Sequence, residues 1–289
     1  MDQLRPLAIV SEGVDYITCT FTPEASTTRF FMEVGKTERK EIARGNLVQK
    51  WGHSGYLGQR CGGLEFGTSY QGCIVRLSGE TAQTQWRRYA RLCSNVSRLD
   101  VQQTVIFEES PGEVIQRCFD ALTNRWSKMK RAPQPKMWSG PHGPETVYSG
   151  ERVSDVFLRC YHRGARKGHE LFDGHVRFEA ELKNDRARSV TRALLKSRSQ
   201  AADAGNEALG LFATRGCCLS WSGNRPPSFR RPKLSGTASS RLLWLESQVR
   251  PTVRELVELG MLDQVLRALG LTALPSDVGC CLNTKGENE

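Results

Sequence analysis

The sequence predicts an α+β fold: an antiparallel β-sheet with helices packed on one face, followed by a small C-terminal helical unit. Three observations carry this expectation. Two strand-like segments, 145–149 and 156–162, are separated only by Gly150-Glu151-Arg152-Val153-Ser154-Asp155, a connection suited to antiparallel neighbours. Ser110-Pro111-Gly112-Glu113 is a helix start with a capping serine, a proline at the first helical position and a capping-box glutamate. Beyond about residue 216 the composition changes, and Gly223-Asn224-Arg225-Pro226-Pro227 opens a basic stretch that cannot hold regular structure.

Taken in order, residues 14–21 have strand composition and stop before Pro23. The glycine-rich stretch 52–72 is expected as loops and a hairpin, and 72–78 as a second strand. Residues 80–93 form a helix with Trp86, Tyr89 and Leu92 near one face. Residues 97–105 form a strand, and the helix capped by Ser110 runs to about Trp126. The basic segment 127–144 is expected as an exposed loop, and 163–174 as another. Strand 175–183 then leads into a helix near 185–199. The domain division is 1–215 for the main unit, 216–238 for a linker, and 239–289 for the helical unit. In the last, Leu242, Leu245, Val249, Leu256 and Leu259 make an apolar stripe interrupted by Pro251, with a further short helix at 261–269.

The 289 residues are 38% hydrophobic and 25% charged, enough for a buried core. Lys and Arg number 41 against 31 acidic residues, a net charge of +10. Residues 121–200 alone hold 17 Lys and Arg against 8 acidic residues. A basic excess confined to one region suits a polyanion, because each phosphate contact releases counterions. It also suits a merely solvated surface. The ten cysteines contain no C-x-x-C frame, and most are read as small buried hydrophobes of a cytoplasmic protein. Neither a signal peptide nor an 18-residue apolar run is visible, so no membrane span is expected.

Chemistry concentrates on three strands whose side chains alternate between two faces. Asp100 follows Arg98; Arg159 and Tyr161 share a face; so do Arg177, Glu179 and Glu181, while Phe178, Ala180 and Leu182 take the other side. If these faces meet in one sheet, a phenol, three carboxylates and several guanidiniums converge. Such a set suits phosphodiester cleavage: carboxylates hold Mg²⁺ or Mn²⁺, arginines grip phosphate, and the phenol attacks. Each strand also admits a plainer reading. A tyrosine in an alternating strand can serve packing, and paired glutamates can be ion-pair partners of Arg98 or Arg177.

The run from Gly143 to Tyr161, with Tyr148-Ser149-Gly150, Ser154-Asp155 and Phe157-Leu158-Arg159-Cys160-Tyr161, resembles the replication initiation factor (Rep-trans) family. Arg177-Phe178-Glu179-Ala180-Glu181-Leu182-Lys183 and Arg98-Leu99-Asp100 resemble that family's acidic strands, in the same order. These are rolling-circle initiators of small plasmids, with relatives in phages and integrative elements. The resemblance covers about residues 14–199. It implies a nicking domain over 1–215, Tyr161 as nucleophile, and Asp100, Glu179 and Glu181 as ligands of a divalent metal. It implies site-specific nicking and closing of one DNA strand at an origin hairpin through a 5′-phosphotyrosine, by a homodimer that recruits a helicase. Arg98, Arg159, Arg163, Arg166, Lys167, Arg177 and Lys183 are the expected DNA contacts. One departure stands out: several relatives carry a second acid where this chain has Thr104. A non-catalytic DNA-binding regulator of the same descent and a conjugative relaxase are the competing readings.

Overall fold

The computed structural model describes residues 4, 6–22, 28–53, 55–70, 72–128, 134–141, 143–165, 170–215, 250–261, 264 and 266. It forms two units, Met1–Arg231 and Pro232–Glu289. The first unit is built on one ten-stranded antiparallel sheet. In chain order its elements are β1 (Pro6–Phe21), α1 (Thr28–Ala43), β2 (Val48–His53), β3 (Tyr56–Cys61), β4 (Leu64–Ser69) and β5 (Gly72–Ser78). There follow α2 (Gly79–Leu92), β6 (Asn95–Phe107), α3 (Pro111–Trp126), β7 (Lys136–Gly140), β8 (Gly143–Ser149) and β9 (Val156–His162). The unit closes with β10 (His175–Lys183), α4 (Asn184–Lys196) and α5 (Gln200–Thr214). Across the sheet the order is β2-β3-β4-β5-β1-β6-β10-β9-β8-β7. The expected α+β architecture is therefore present.

Alternation along the central strands decides which face is covered. Leu99, Val101 and Val105 of β6, Phe178, Ala180 and Leu182 of β10, and Leu158 and Cys160 of β9 belong to one buried cluster. Helices add to it: Phe30 and Val34 from α1, Trp86 and Tyr89 from α2, Ile115 and Leu122 from α3, Val190 and Leu194 from α4, Ala208 and Phe212 from α5. Phe178 meets Phe212 edge-on with ring centroids 5.4 Å apart, which fixes α5 against β10. The residues between these apolar positions lie on the opposite face, and they are the polar ones singled out above. A buried side chain of this size contributes about 1.5–3 kcal/mol of hydrophobic stabilisation, so a one-residue slip of β10 would forfeit several such terms at once.

The helix α3 starts as its sequence dictates. Ser110 Oγ accepts from Glu113 N, and the Glu113 carboxylate accepts from Ser110 N, so the capping box is complete. Strand β1 pairs with β6 from Pro6 to Thr20, whereas β5 covers only its far half, from Tyr16 to Phe21. Among the described residues no strand pairs with the other edge of its first half, where Leu7, Ile9 and Val10 are exposed.

Several expectations need correction. Residues 136–140, placed in a basic loop, form β7 and pair with β8 as the outermost strand. The stretch 52–72 is not loops around one hairpin but most of a four-strand meander, β2 to β5. Its glycines permit this: a Cβ at Gly58 would lie 1.8 Å from the Phe66 carbonyl oxygen. The helix expected near 185–199 ends at Lys196, and two unexpected helices, α1 and α5, are present. The buried side of α1 includes Thr37 and Glu41 beside Phe30 and Val34, which blurs its apolar stripe. In α5 the stripe is diluted by Gly205 and Gly210 and by a buried ion pair, Glu207 with Arg186 at 2.5 Å.

The segment 216–238 lies outside the described residues. In the second unit, α6 (Arg250–Glu258) carries Pro251 near its start, where proline is tolerated, and Leu242, Leu245 and Val249 of the expected stripe lie outside the described residues. The expected helix at 261–269 falls almost wholly outside the described residues. The six described cysteines are free thiols and all but Cys93 are buried. No helix among the described residues is long and apolar enough to cross a membrane.

Candidate active site

The register of four central strands brings the polar residues together. Asp100 of β6 faces Glu181 of β10, and Gln102 faces Glu179. Glu179 in turn faces Arg159 of β9, and Arg177 faces Tyr161. On the other side of β6, Tyr16 of β1 faces Asp100. Directly opposed side chains in an antiparallel pair sit about 4.5–5.5 Å apart at Cβ. The expected convergence of Tyr161, Asp100, Glu179 and Glu181 on one face is therefore present.

Every acid in the cluster is buried and bound to a cation. Asp100 takes a two-pronged contact from Arg98, 2.8 Å from Nε and 2.6 Å from Nη2. The same Nη2 lies 2.9 Å from Glu181 Oε2, and Lys183 Nζ lies 2.9 Å from Glu181 Oε1. Arg159 Nη2 bonds Glu179 Oε1 directly and approaches Asp100 Oδ2 at 3.7 Å. Tyr161 donates its hydroxyl to Glu179 Oε2 at 3.4 Å. Arg177 pairs with Asp15 at 2.7 Å. Three carboxylates thus meet Arg98, Arg159 and Lys183 in a charge-balanced network.

Balance of charge does not cancel the cost of burial. Burial pushes the Asp100 carboxyl up to about 7; the Arg98 bonds oppose this, and the charges of Glu179 and Glu181 add to it. Burial likewise pushes the Tyr161 phenol up to about 12, with Arg177 pulling the other way and Glu179 reinforcing the rise. Tyr161 is therefore held as the neutral phenol, with a carboxylate already placed to accept its proton. On either side of it stand two guanidiniums whose Nε groups, in Arg159 and Arg177, are buried without a hydrogen-bond partner among the described residues. An unmet buried donor costs roughly 1–3 kcal/mol, which an incoming anionic oxygen would relieve.

The donor set is hard and acidic, the kind that suits Mg²⁺ or Mn²⁺. Among the described residues, however, no group of three His, Cys, Asp or Glu side chains is arranged as a metal centre. Their oxygens are turned toward guanidiniums and an ammonium, so a divalent ion would have to displace one of them. Thr104 does not supply a further acid: its hydroxyl donates to Gln102 Oε1 at 3.1 Å on the same face.

Of the expected DNA contacts, Arg98, Arg159, Arg177 and Lys183 lie in this network. Arg163 lies just past β9, its guanidinium 4.0 Å over the Phe172 ring. Arg166 and Lys167 lie outside the described residues. Three residues at the site were not anticipated. Asp15 reaches it because a bulge between Val14 and Tyr16 inserts one residue into β1, which defeats a strict count by twos. Tyr16 lies beneath the Arg98 guanidinium at 4.3 Å. Trp138, hidden in the presumed loop, lines a cavity that opens beside Tyr161, together with Tyr148 of the Tyr-x-Gly turn.

No family model matches the sequence, and no curated protein matches it. Among solved structures, the chain is similar to a rolling circle replication initiator protein from Geobacillus stearothermophilus, at 20% identity. That likeness has a TM-score of 0.48 and covers 79% of this chain and 91% of the other.

Proposed function

We propose that this chain nicks and recloses one strand of DNA in the manner of a rolling-circle replication initiator, with Tyr161 as the nucleophile. One observation carries the reading: the Tyr161 hydroxyl touches a buried carboxylate and stands beside Arg159 and Arg177, whose buried Nε groups have no hydrogen-bond partner among the described residues. A packing tyrosine needs none of these, and a phosphoryl-transfer nucleophile needs all of them. The sequence motifs around Tyr161, Asp100 and Glu179 support the same assignment.

Burial pushes the Tyr161 phenol up to about 12, so it rests as the neutral phenol. Removal of the proton must therefore accompany attack, and Glu179 is the residue in contact. Tyr161 Oη would form a bond to the scissile phosphorus while the bond from phosphorus to the 3′ oxygen breaks, and the proton that Tyr161 gave up would end on that 3′ oxygen. The products are a 5′-phosphotyrosyl link and a free 3′-hydroxyl, and reversal recloses the strand without an external energy source. Arg159 and Arg177 would grip the non-bridging oxygens and offset the charge that builds in the transition state. Asp100, Glu179 and Glu181 are the residues that would hold a divalent ion, in exchange for contacts to Arg98, Arg159 or Lys183, and such an ion would supply Lewis-acid polarisation of that phosphate.

The charge-balanced network favours a second reading, a DNA-binding regulator that does not cut. One experiment separates the two. Supercoiled DNA carrying the region around the gene is incubated with the protein and Mn²⁺ or Mg²⁺, then resolved on denaturing gels. The nicking reading expects an open-circular product and a protein–DNA adduct, both lost in Tyr161→Phe while DNA binding persists. Absence of product and adduct with the wild-type chain under either metal overturns it. Nicking by Tyr161→Phe at the wild-type rate moves the nucleophile elsewhere, first to Tyr148.

A further inference from the structure

The cavity beside Tyr161 has a composition that the nicking chemistry does not require. It encloses about 510 Å³ and is lined by Trp138, Thr146, Tyr148, Arg152, Arg159 and His162, among others. That volume lies within the usual range for sites that enclose a small organic ligand. Its placement follows from the register. Trp138 of β7 faces Thr146 of β8, and Thr146 faces Tyr161 of β9, so the three stand in a row across adjacent strands. Two strand spacings, roughly 10 Å, separate the indole position from that of the phenol.

The two aromatic rings are held differently. Tyr148 stacks on Phe157 with ring centroids 5.7 Å apart and planes only 12° from parallel, so its ring is braced from behind. Trp138 is 56% exposed, a large apolar ring left in water on the outermost strand. Arg152 is exposed at the same cavity, and Arg159 enters it from the acid cluster. Flat rings interleaved with cations suit a ligand that is itself flat, apolar on its faces and anionic along its edge. An unpaired nucleotide has that character, since a base stacks on aromatic rings while its phosphate meets arginine.

We propose that this cavity is a nucleobase subsite. Trp138 and Tyr148 stack an unpaired base of single-stranded DNA next to the scissile phosphate, and Arg152 contacts the neighbouring phosphate. The subsite would hold the strand splayed and fix which linkage lies against Tyr161. The inference rests on the nicking reading for the identity of the polymer. Its test does not require cleavage, so the two fail separately.

The test compares binding of a labelled twelve-residue oligothymidylate with that of an abasic strand of equal length and charge, by fluorescence anisotropy. The wild-type chain is expected to prefer the thymidylate strand by about 5- to 150-fold for a stacked base. Trp138→Ala should lose most of that preference and Trp138→Phe should keep most of it, with affinity for the abasic strand unchanged in both. Tyr148→Leu, which preserves packing on Phe157, should lose preference as well. Trp138 is exposed, so its truncation does not threaten the core. A wild-type chain with no preference for bases, or a Trp138→Ala chain that retains it, overturns the subsite. Displacement of the oligonucleotide by micromolar thymidine monophosphate also overturns it, because the cavity would then serve a free nucleotide. Loss of the covalent adduct in the nicking assay, with base preference intact, would instead sink the nicking reading alone.

Discussion

At the scale of single residues, the site is a contest between burial and charge. Asp100 is 2% exposed and holds its proton up to about pH 7 despite two contacts from Arg98. Its pKa is raised above that of an unfolded aspartate, so its contribution to stability is full at low pH and is lost as pH rises through about 7. A divalent ion bound there must expel that proton. Mn²⁺ affinity should therefore rise with pH by up to tenfold per unit below 7 and level off above it. Calorimetric titrations at several pH values check this, and Asp100→Asn should flatten the dependence; an equal slope in that variant would remove Asp100 from the metal site. Much of this cluster was legible in the sequence. Tyr161, Asp100, Glu179 and Glu181 stand at even spacing on strands with apolar alternates, so their common face could be read by counting. Asp15 could not, since its bulge breaks the count, and neither could the depth at which Tyr161 is buried.

At the scale of elements, local rules worked where one residue type has one job. Ser110, Pro111 and Glu113 announced α3, and strand composition ending before Pro23 announced the second half of β1. The rules failed where tertiary contact overrides composition. In β3 a glycine sits where the next strand's backbone leaves no room for a side chain, so a strand looks like a loop. Gly58→Ala would drive a Cβ into the Phe66 carbonyl and should destabilise the chain by about 2 kcal/mol or more, read as a lowered midpoint in urea unfolding. A midpoint unchanged from wild type would mean that β3 does not pair as described. In α5, small residues allow close approach to β1, where a Cβ on Gly205 would lie 2.8 Å from Glu12 Oε2. That packing reason for glycine leaves no trace in an isolated helical pattern.

At the scale of the whole sheet, function follows from an asymmetry. One face is apolar and covered by helices, with α3, α4 and α5 over its central strands; the other carries buried charge and the cavity beside Tyr161. A further cleft, about 280 Å³, lies between Tyr16, Arg76, Arg98 and Lys183, on the far side of the acid cluster from Trp138. The sequence showed the asymmetry in its central strands but not the extent of the sheet, because the outer strands are short, glycine-rich or both. The asymmetry has a counterpart along β1. From Tyr16 onward this strand has neighbours on both sides, while the outer edge of its first half, flanked by Leu7, Ile9 and Val10, pairs with no strand among the described residues. Such an edge is a template on which another chain's extended segment can be laid down, and it lacks the lysine or proline gatekeepers that commonly guard such positions within residues 7–14. Ile9→Lys should lower light scattering from concentrated protein during storage and leave the urea unfolding midpoint unaltered. If scattering is unchanged, the edge of the first strand is not a site where copies of this chain join.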